Sequence, residues 1–229
     1  MPRTASPIIN FPAILASSIH DIKNSLTHIR ELIKQLAKLH SNAENSEFQL
    51  LEIEADRMNS SLMQLLILYK IDSSLFKPVI DEYSALEILA DVADQQESLL
   101  AMNNIELALD CPEDLFCYCD NALINTALVS IVNNAQRYCQ RKIMLSAHRI
   151  ANNAVCFCVE DDGAGYPEKL KYGQDTHSLE SNFSSGNTGL GLFFASTIAQ
   201  LHTQGPEKGY ITTDNNSRLG GARFSLFLP

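Results

Sequence analysis

Apolar residues recur at alternating steps of four and three from Leu15 through Ile19, Ile22, Leu26, Ile29 and Ile33 to Leu36. Only an α-helix gathers that spacing onto one stripe. A second seam follows at Leu51, Ala55, Met58, Leu62, Leu65 and Tyr69. The stretch between them, HSNAENSE, is polar and turn-like, and Ser46 with Gln49 three residues on makes a capping box that opens the second helix. Two antiparallel helices with a short connection form a hairpin. A lone hairpin cannot bury both stripes. The pattern therefore predicts a homodimer through residues 12–70, two hairpins pairing as a four-helix bundle with two-fold symmetry.

The seam breaks at KIDSSLFKP, polar and closed by Pro78, which puts a domain boundary near residue 74. Residues 1–74 form one domain and 75–229 the other. Past the boundary the element types mix. Helices are expected at Ala85–Met102, Asn121–Tyr138 and from Gly189 to about Leu201. Strands are expected at Ile105–Leu109, Leu115–Tyr118, IMLSAHRI and AVCFCVED, with a turn at Asn152-Asn153 and a final hairpin ending in ARFSLFL. Helices and strands that do not alternate strictly predict an α+β chain whose second domain is an α/β sandwich with a mixed sheet.

Charge narrows the function classes. A net charge of −10 lacks the basic footprint of a nucleic-acid binder. No run reaches the roughly 18 apolar residues of a membrane span, and the densest, Leu62–Leu68, is broken by Gln64. The start reads as a helix entry, not a signal peptide, so a cytoplasmic protein is expected. Cysteines stand as C-x-C pairs at Cys117/Cys119 and Cys156/Cys158, inside runs that read as strands. Period two puts each pair on one face. Such pairs could hold zinc, but zinc sites favour C-x2-C knuckles on turns, and reduced thiols acting as small hydrophobes fit better.

Three segments of the second domain carry chemistry. Asp161-Asp162-Gly163-Ala164-Gly165 ends a strand as D-x-G-x-G. A carboxylate there can accept from an exocyclic amine such as that of adenine, while the glycines admit close backbone approach. Taken alone it also reads as an ordinary turn. Gly186-Asn187-Thr188-Gly189-Leu190-Gly191-Leu192 runs into a helix, and a helix N-terminus behind a glycine loop is a ready phosphate site. It is not a P-loop, since no Lys follows the last glycine. The third is the helical run Ile131–Tyr138, where Asn133 and Asn134 are poor helix-interior residues. One face of it could present an amide oxygen to Mg²⁺, a guanidinium to phosphate and a phenol ring to a base.

In the first domain His20 sits beside the seam position Ile19 in SIHDIKN. A neutral imidazole nitrogen there is a competent nucleophile toward phosphorus. Asp21 could accept from the other nitrogen, and Asn24 lies one helical turn on. A lone helical histidine is otherwise just solvated.

Taken in order, the asparagine helix, D-x-G-x-G and G-x-x-G-L-G-L resemble the ATP-binding domain of two-component histidine kinases. This is the Bergerat fold shared with gyrase-type ATPases, mismatch-repair ATPases and the heat-shock chaperone family. HDIKN is similar to their phosphoacceptor box, and the resemblance covers about residues 12 to 229. It implies ATP and Mg²⁺ as cofactors, with Asn134 on the metal, Arg137 and Tyr138 flanking the nucleotide and Asp161 reading adenine. It implies that Gly163, Gly165, Gly186, Thr188, Gly189, Leu190 and Gly191 shape the pocket, and that about 166–188 form a mobile lid. It further implies autophosphorylation on His20, transfer to a response-regulator receiver aspartate, and dephosphorylation of that receiver. Asp21 and Asn24 stand where many members carry Glu and Thr, and Ser130 where a second Asn is frequent. No sensory domain is visible, so input comes through a separate sensory partner or a region outside this sequence. A Bergerat ATPase without autokinase activity, or a non-catalytic phosphotransfer scaffold, remains the alternative.

Overall fold

The computed structural model describes residues 22, 24–33, 36, 46–72, 76–171 and 190–229. The chain divides into two compact units, Met1–Leu75 and Phe76–Pro229.

In the first unit a helical segment over 24–33 (α1) precedes the long helix α2, Ser46–Asp72. α2 starts at the residue read as its cap. The two seams split by alternate steps. Ile33 and Ala55 are buried and Leu26, Leu62 and Tyr69 half-buried, whereas Ile22, Ile29, Leu36, Leu51, Met58 and Leu65 stay between 44% and 54% exposed. Among the described residues, half of each stripe is thus buried or half-buried and the other half is exposed. Arg30 reaches Asp56 across the hairpin at 2.9 Å. Among the described residues no helix is long and apolar enough to cross a membrane.

The second unit is a two-layer sandwich with a mixed sheet, as the sequence predicts. Its helices are α3 (Ala85–Met102), α4 (Asn121–Tyr138) and α5 (Leu190–Leu201). Ser84 and Asp120 start the first two: the Ser84 hydroxyl accepts from Glu87 N, and Asp120 Oδ1 accepts from Leu123 N at 3.2 Å. Each helix buries one stripe, in α4 running from Leu123, Ile124, Ala127 and Leu128 to Ile131, Val132 and Ala135.

The strands are β1 (Asp81–Ser84), β2 (Glu106–Asp110), β3 (Phe116–Cys119), β4 (Lys142–Arg149), β5 (Val155–Asp161), β6 (Thr203–Gln204), β7 (Glu207–Lys208), β8 (Tyr210–Asp214) and β9 (Arg223–Leu228). Five form the main sheet in the order β2-β4-β5-β9-β8, parallel between β2 and β4 and antiparallel elsewhere. β1 pairs with β3, and β6 with β7, in two small ribbons. Neither β1 nor the β6–β7 ribbon was expected from the pattern.

Alternation sorts the two sheet faces. Val155, Phe157 and Val159 of β5 stand level with Leu145 and Ala147 of β4 and with Phe224, Leu226 and Leu228 of β9, all buried. This is the face the helices cover. The opposite face carries Ser146, His148, Cys156, Cys158, Glu160 and Ser225. One histidine belongs to the core. His202, after α5, accepts from Asp120 N at Nε2 (3.0 Å) and donates from Nδ1 to Ile198 O (2.8 Å). Burial holds its pKa below the ordinary imidazole value.

Candidate nucleotide site

Asp161 closes β5, and almost every polar atom it owns is used locally. Its N–H donates to Ala222 O (3.0 Å), and its carbonyl accepts from Gly221 N (3.0 Å) and the Ser217 hydroxyl (2.8 Å). Its Oδ1 accepts from Gly163 N (2.8 Å) and Ala222 N (3.1 Å). Among the described residues nothing hydrogen-bonds Oδ2. The carboxylate is thus held in one orientation with one oxygen spare, and it is 5% exposed. Burial pushes its pKa up, opposed by the two amides at Oδ1.

Three chain segments meet at this residue, and only glycine fits between them. A Cβ on Gly163 would collide with the Tyr138 carbonyl at the end of α4. One on Gly221 would lie 2.5 Å from both the carbonyl and Oδ1 of Asp161. Gly165 takes φ +82°, a left-handed conformation. Asn215 braces that turn, its amide oxygen accepting from Tyr166 N (2.7 Å) and its Nδ2 donating to Tyr166 O (3.1 Å).

Leu190 opens α5, and a Cβ on Gly191 would stand 2.9 Å from both Asn134 Nδ2 and Ser130 Oγ of α4. Asn134 and Ser130 of α4 therefore face Gly191 at the start of α5. Asn134 is half-buried, Arg137 exposed, and Tyr138 60% exposed at the last turn of α4. Asp162 points elsewhere. It accepts from Gln140 N (2.8 Å) and Arg141 N (3.1 Å); burial pushes its pKa up, but these backbone amides outweigh it and hold the carboxyl below the usual range.

The structure brings Asn134, Tyr138, Asp161, Gly163, Gly165, Leu190 and Gly191 into one region through shared contacts and chain adjacency. His20, Asp21, Gly186, Thr188 and Gly189 lie outside the described residues. Asn24 is exposed in the first unit.

A second set of residues supports the site and was missed by sequence reasoning. Arg218 follows Ser217 and donates to Glu160 Oε2 (2.8 Å), Asp110 Oδ2 (2.6 Å) and Ser146 Oγ (2.9 Å), while its own N–H reaches Glu160 Oε1 (2.8 Å). Glu160 is 2% exposed. The group ties β2, β4 and β5 to the loop that holds Asp161. No sequence signal marks it, because the partners stand 58 to 108 residues apart.

Residues 119–229 match the family described as histidine kinase-, DNA gyrase B-, and HSP90-like ATPase. The chain is 26% identical over 233 residues to the sensor protein BasS of Salmonella typhimurium, covering 99% of this chain and 62% of that protein. It is 27% identical over 226 residues to the sensor histidine kinase CpxA of Escherichia coli, covering 94% and 46%. What the chain resembles, over its ATPase domain and along nearly its whole length, are two-component sensor histidine kinases. The chain spans about half the length of the curated relatives it matches. Its fold agrees with the catalytic domain of the histidine kinase ThkA, at TM-score 0.54 and 26% identity over 66% of this chain and 95% of that one. Full-length ShkA in complex with AMPPNP shares the fold over 95% of this chain and 46% of its own, with TM-score 0.67 and 19% identity.

Proposed function

We propose that this chain is an ATP-dependent protein histidine kinase. It autophosphorylates on His20 and passes the phosphoryl group to an aspartate of a response-regulator receiver. The observation that carries the reading is the Asp161 carboxylate, clamped through Oδ1 by two backbone amides with Oδ2 spare. A fixed acceptor between close-packed glycines suits the exocyclic amine of adenine.

In this reading Arg137 and Tyr138 flank the nucleotide, and Gly163 and Gly165 bring backbone to the base. Gly186, Thr188, Gly189, Leu190 and Gly191 lead into the N-terminus of α5, whose amides and dipole favour phosphate. Asn134 fits a magnesium role, because its half-buried amide sits on the α4 face turned to Gly191 and an amide oxygen is a hard ligand. Mg²⁺ held there would neutralise charge on the transferring phosphoryl group. His20 attacks the γ-phosphorus in line through a neutral ring nitrogen as the bond to the ADP oxygen breaks, and Asp21 accepts from the other nitrogen. Asn24 supports receiver dephosphorylation by orienting a water; equal dephosphorylation rates for wild type and Asn24→Ala would sink that part.

The exposed half-seam from Ile22 to Leu65 supports pairing of two copies into a four-helix bundle, making residues 1–74 the dimerisation and phosphoacceptor domain and 75–229 the catalytic one. The reaction belongs on the cytoplasmic side, where ATP and the receiver are found. Sensory input arrives through a partner or a region outside this sequence. The test is incubation with γ-labelled ATP and Mg²⁺ for wild type and His20→Ala. Acid-labile, base-stable label on wild type alone supports the reading. Nucleotide binding without label on either protein overturns autokinase activity in favour of an ATPase.

A further inference from the structure

The outer face of the sheet gathers a second set of reactive side chains that the kinase reading leaves unused. Cys156 and Cys158 point to the same side of β5, with their Sγ atoms 3.5 Å apart. On β4, His148 stands directly opposite Cys156 in the antiparallel register. One ligand atom from each of the three residues lies within 4.8 Å of the other two. We propose that His148, Cys156 and Cys158 form a binding site for a thiophilic d¹⁰ cation, Zn²⁺ or Cu⁺, on the sheet face away from the helices.

Geometry and chemistry agree on the class of ion. A tetrahedral centre with Zn–S of about 2.3 Å places two thiolates about 3.8 Å apart, so the sulfurs need shift by only a few tenths of an ångström. Soft thiolates with one imidazole select Cu⁺ or Zn²⁺ over Mg²⁺, which takes oxygen ligands. The two thiols are buried and free, while His148 is exposed and offers a way in. Ser225 Oγ, 3.5 Å from Cys158 Sγ, lies beside a fourth position. Binding displaces the thiol protons to solvent and forms two metal–sulfur bonds, with no change of oxidation state.

The other C-x-C pair provides an internal comparison. Cys117 and Cys119 have Sγ atoms 3.9 Å apart on β3, yet among the described residues no third ligand joins them. Spacing along the chain is the same in both pairs. What distinguishes β5 is the neighbouring strand, which supplies a histidine in register.

The experiment uses the full chain, reduced and stripped with chelator, and Co²⁺ as a visible probe. One Co²⁺ per chain is expected, with a thiolate-to-metal charge-transfer band and tetrahedral d–d intensity. Zn²⁺ and Cu⁺ are then added in competition, and the one that displaces Co²⁺ at lower concentration is the better fit. His148→Ala, at an exposed position that leaves the core intact, should weaken binding by about tenfold or more, a loss seen even for groups that only orient a ligand. Cys158→Ser should remove the band, and Cys117→Ser should leave it. Absence of a charge-transfer band, unchanged affinity in His148→Ala, or a band lost only in Cys117→Ser overturns the site.

Discussion

Replacing Arg218 with alanine probes how the site is held. The variant removes three side-chain contacts of unequal weight. The one to Asp110 is between groups 50% and 61% exposed and contributes at most about 1 kcal/mol. The one to Glu160 is different, because that carboxylate is 2% exposed. Stranding a buried charge by deleting its partner costs about 3 to 5 kcal/mol. The Arg218 main-chain N–H at 2.8 Å still reaches Oε1 in the variant, which places the loss near the lower bound, about 3 kcal/mol. At about 2 to 4 °C per kcal/mol for a domain of this size, melting should fall by about 6 to 12 °C. The Arg218→Ala, Glu160→Gln double variant should recover about half of that loss, since its buried group is no longer charged. Calorimetry of the full chain reads both. An Arg218→Ala melt within about 2 °C of wild type, or a double variant no more stable than the single, refutes the assignment.

Other outcomes follow from neighbouring features. Gly191→Ala keeps the helix but pushes the Asn134 amide and the Ser130 hydroxyl away from α5, and losing about 1.4 kcal/mol of the Asn134 contact would weaken nucleotide binding about tenfold. Adding Ser130→Ala should return part of it, and an unchanged titration would show that the contact is slack. For His202 the folded pKa lies below the unfolded value near 6.5, so the unfolded chain binds more protons as pH falls. Its stabilisation is complete above that pH and declines below it by at most about 1.4 kcal/mol per pH unit. A His202→Gln variant should show a flatter dependence of melting on pH between 7.5 and 5.0, and identical slopes would be the contrary result. Leu65→Glu, on the exposed half-seam, should shift sedimentation from dimer to monomer; a monomeric wild type would refute the pairing.

Legibility in the sequence depended on range. Ala85–Met102 and Asn121–Tyr138 could be bounded because Ser84 and Asp120 are local caps and the buried stripe repeats within one helix. The glycines near Asp161 were visible because their spacing is local too. Asn215, Ser217 and Arg218 were not, since their value comes from β5 and β9 lying side by side, a pairing no short window reports. β1 escaped because DEYS is acidic and four residues long, and only β3 makes it a strand. His148 escaped for the same reason, its link to Cys156 being cross-strand.

The knot of bonds at Asp161 also has a kinetic consequence. Its partners come from residues 163, 217, 221 and 222, so the oriented carboxylate exists only after β9 has found β5 across about sixty residues of chain. Such a long-range closure comes late in folding. A chain in which β9 has not closed on β5 lacks that oriented acceptor, so a ligand that needs it would stabilise only the fully paired sheet.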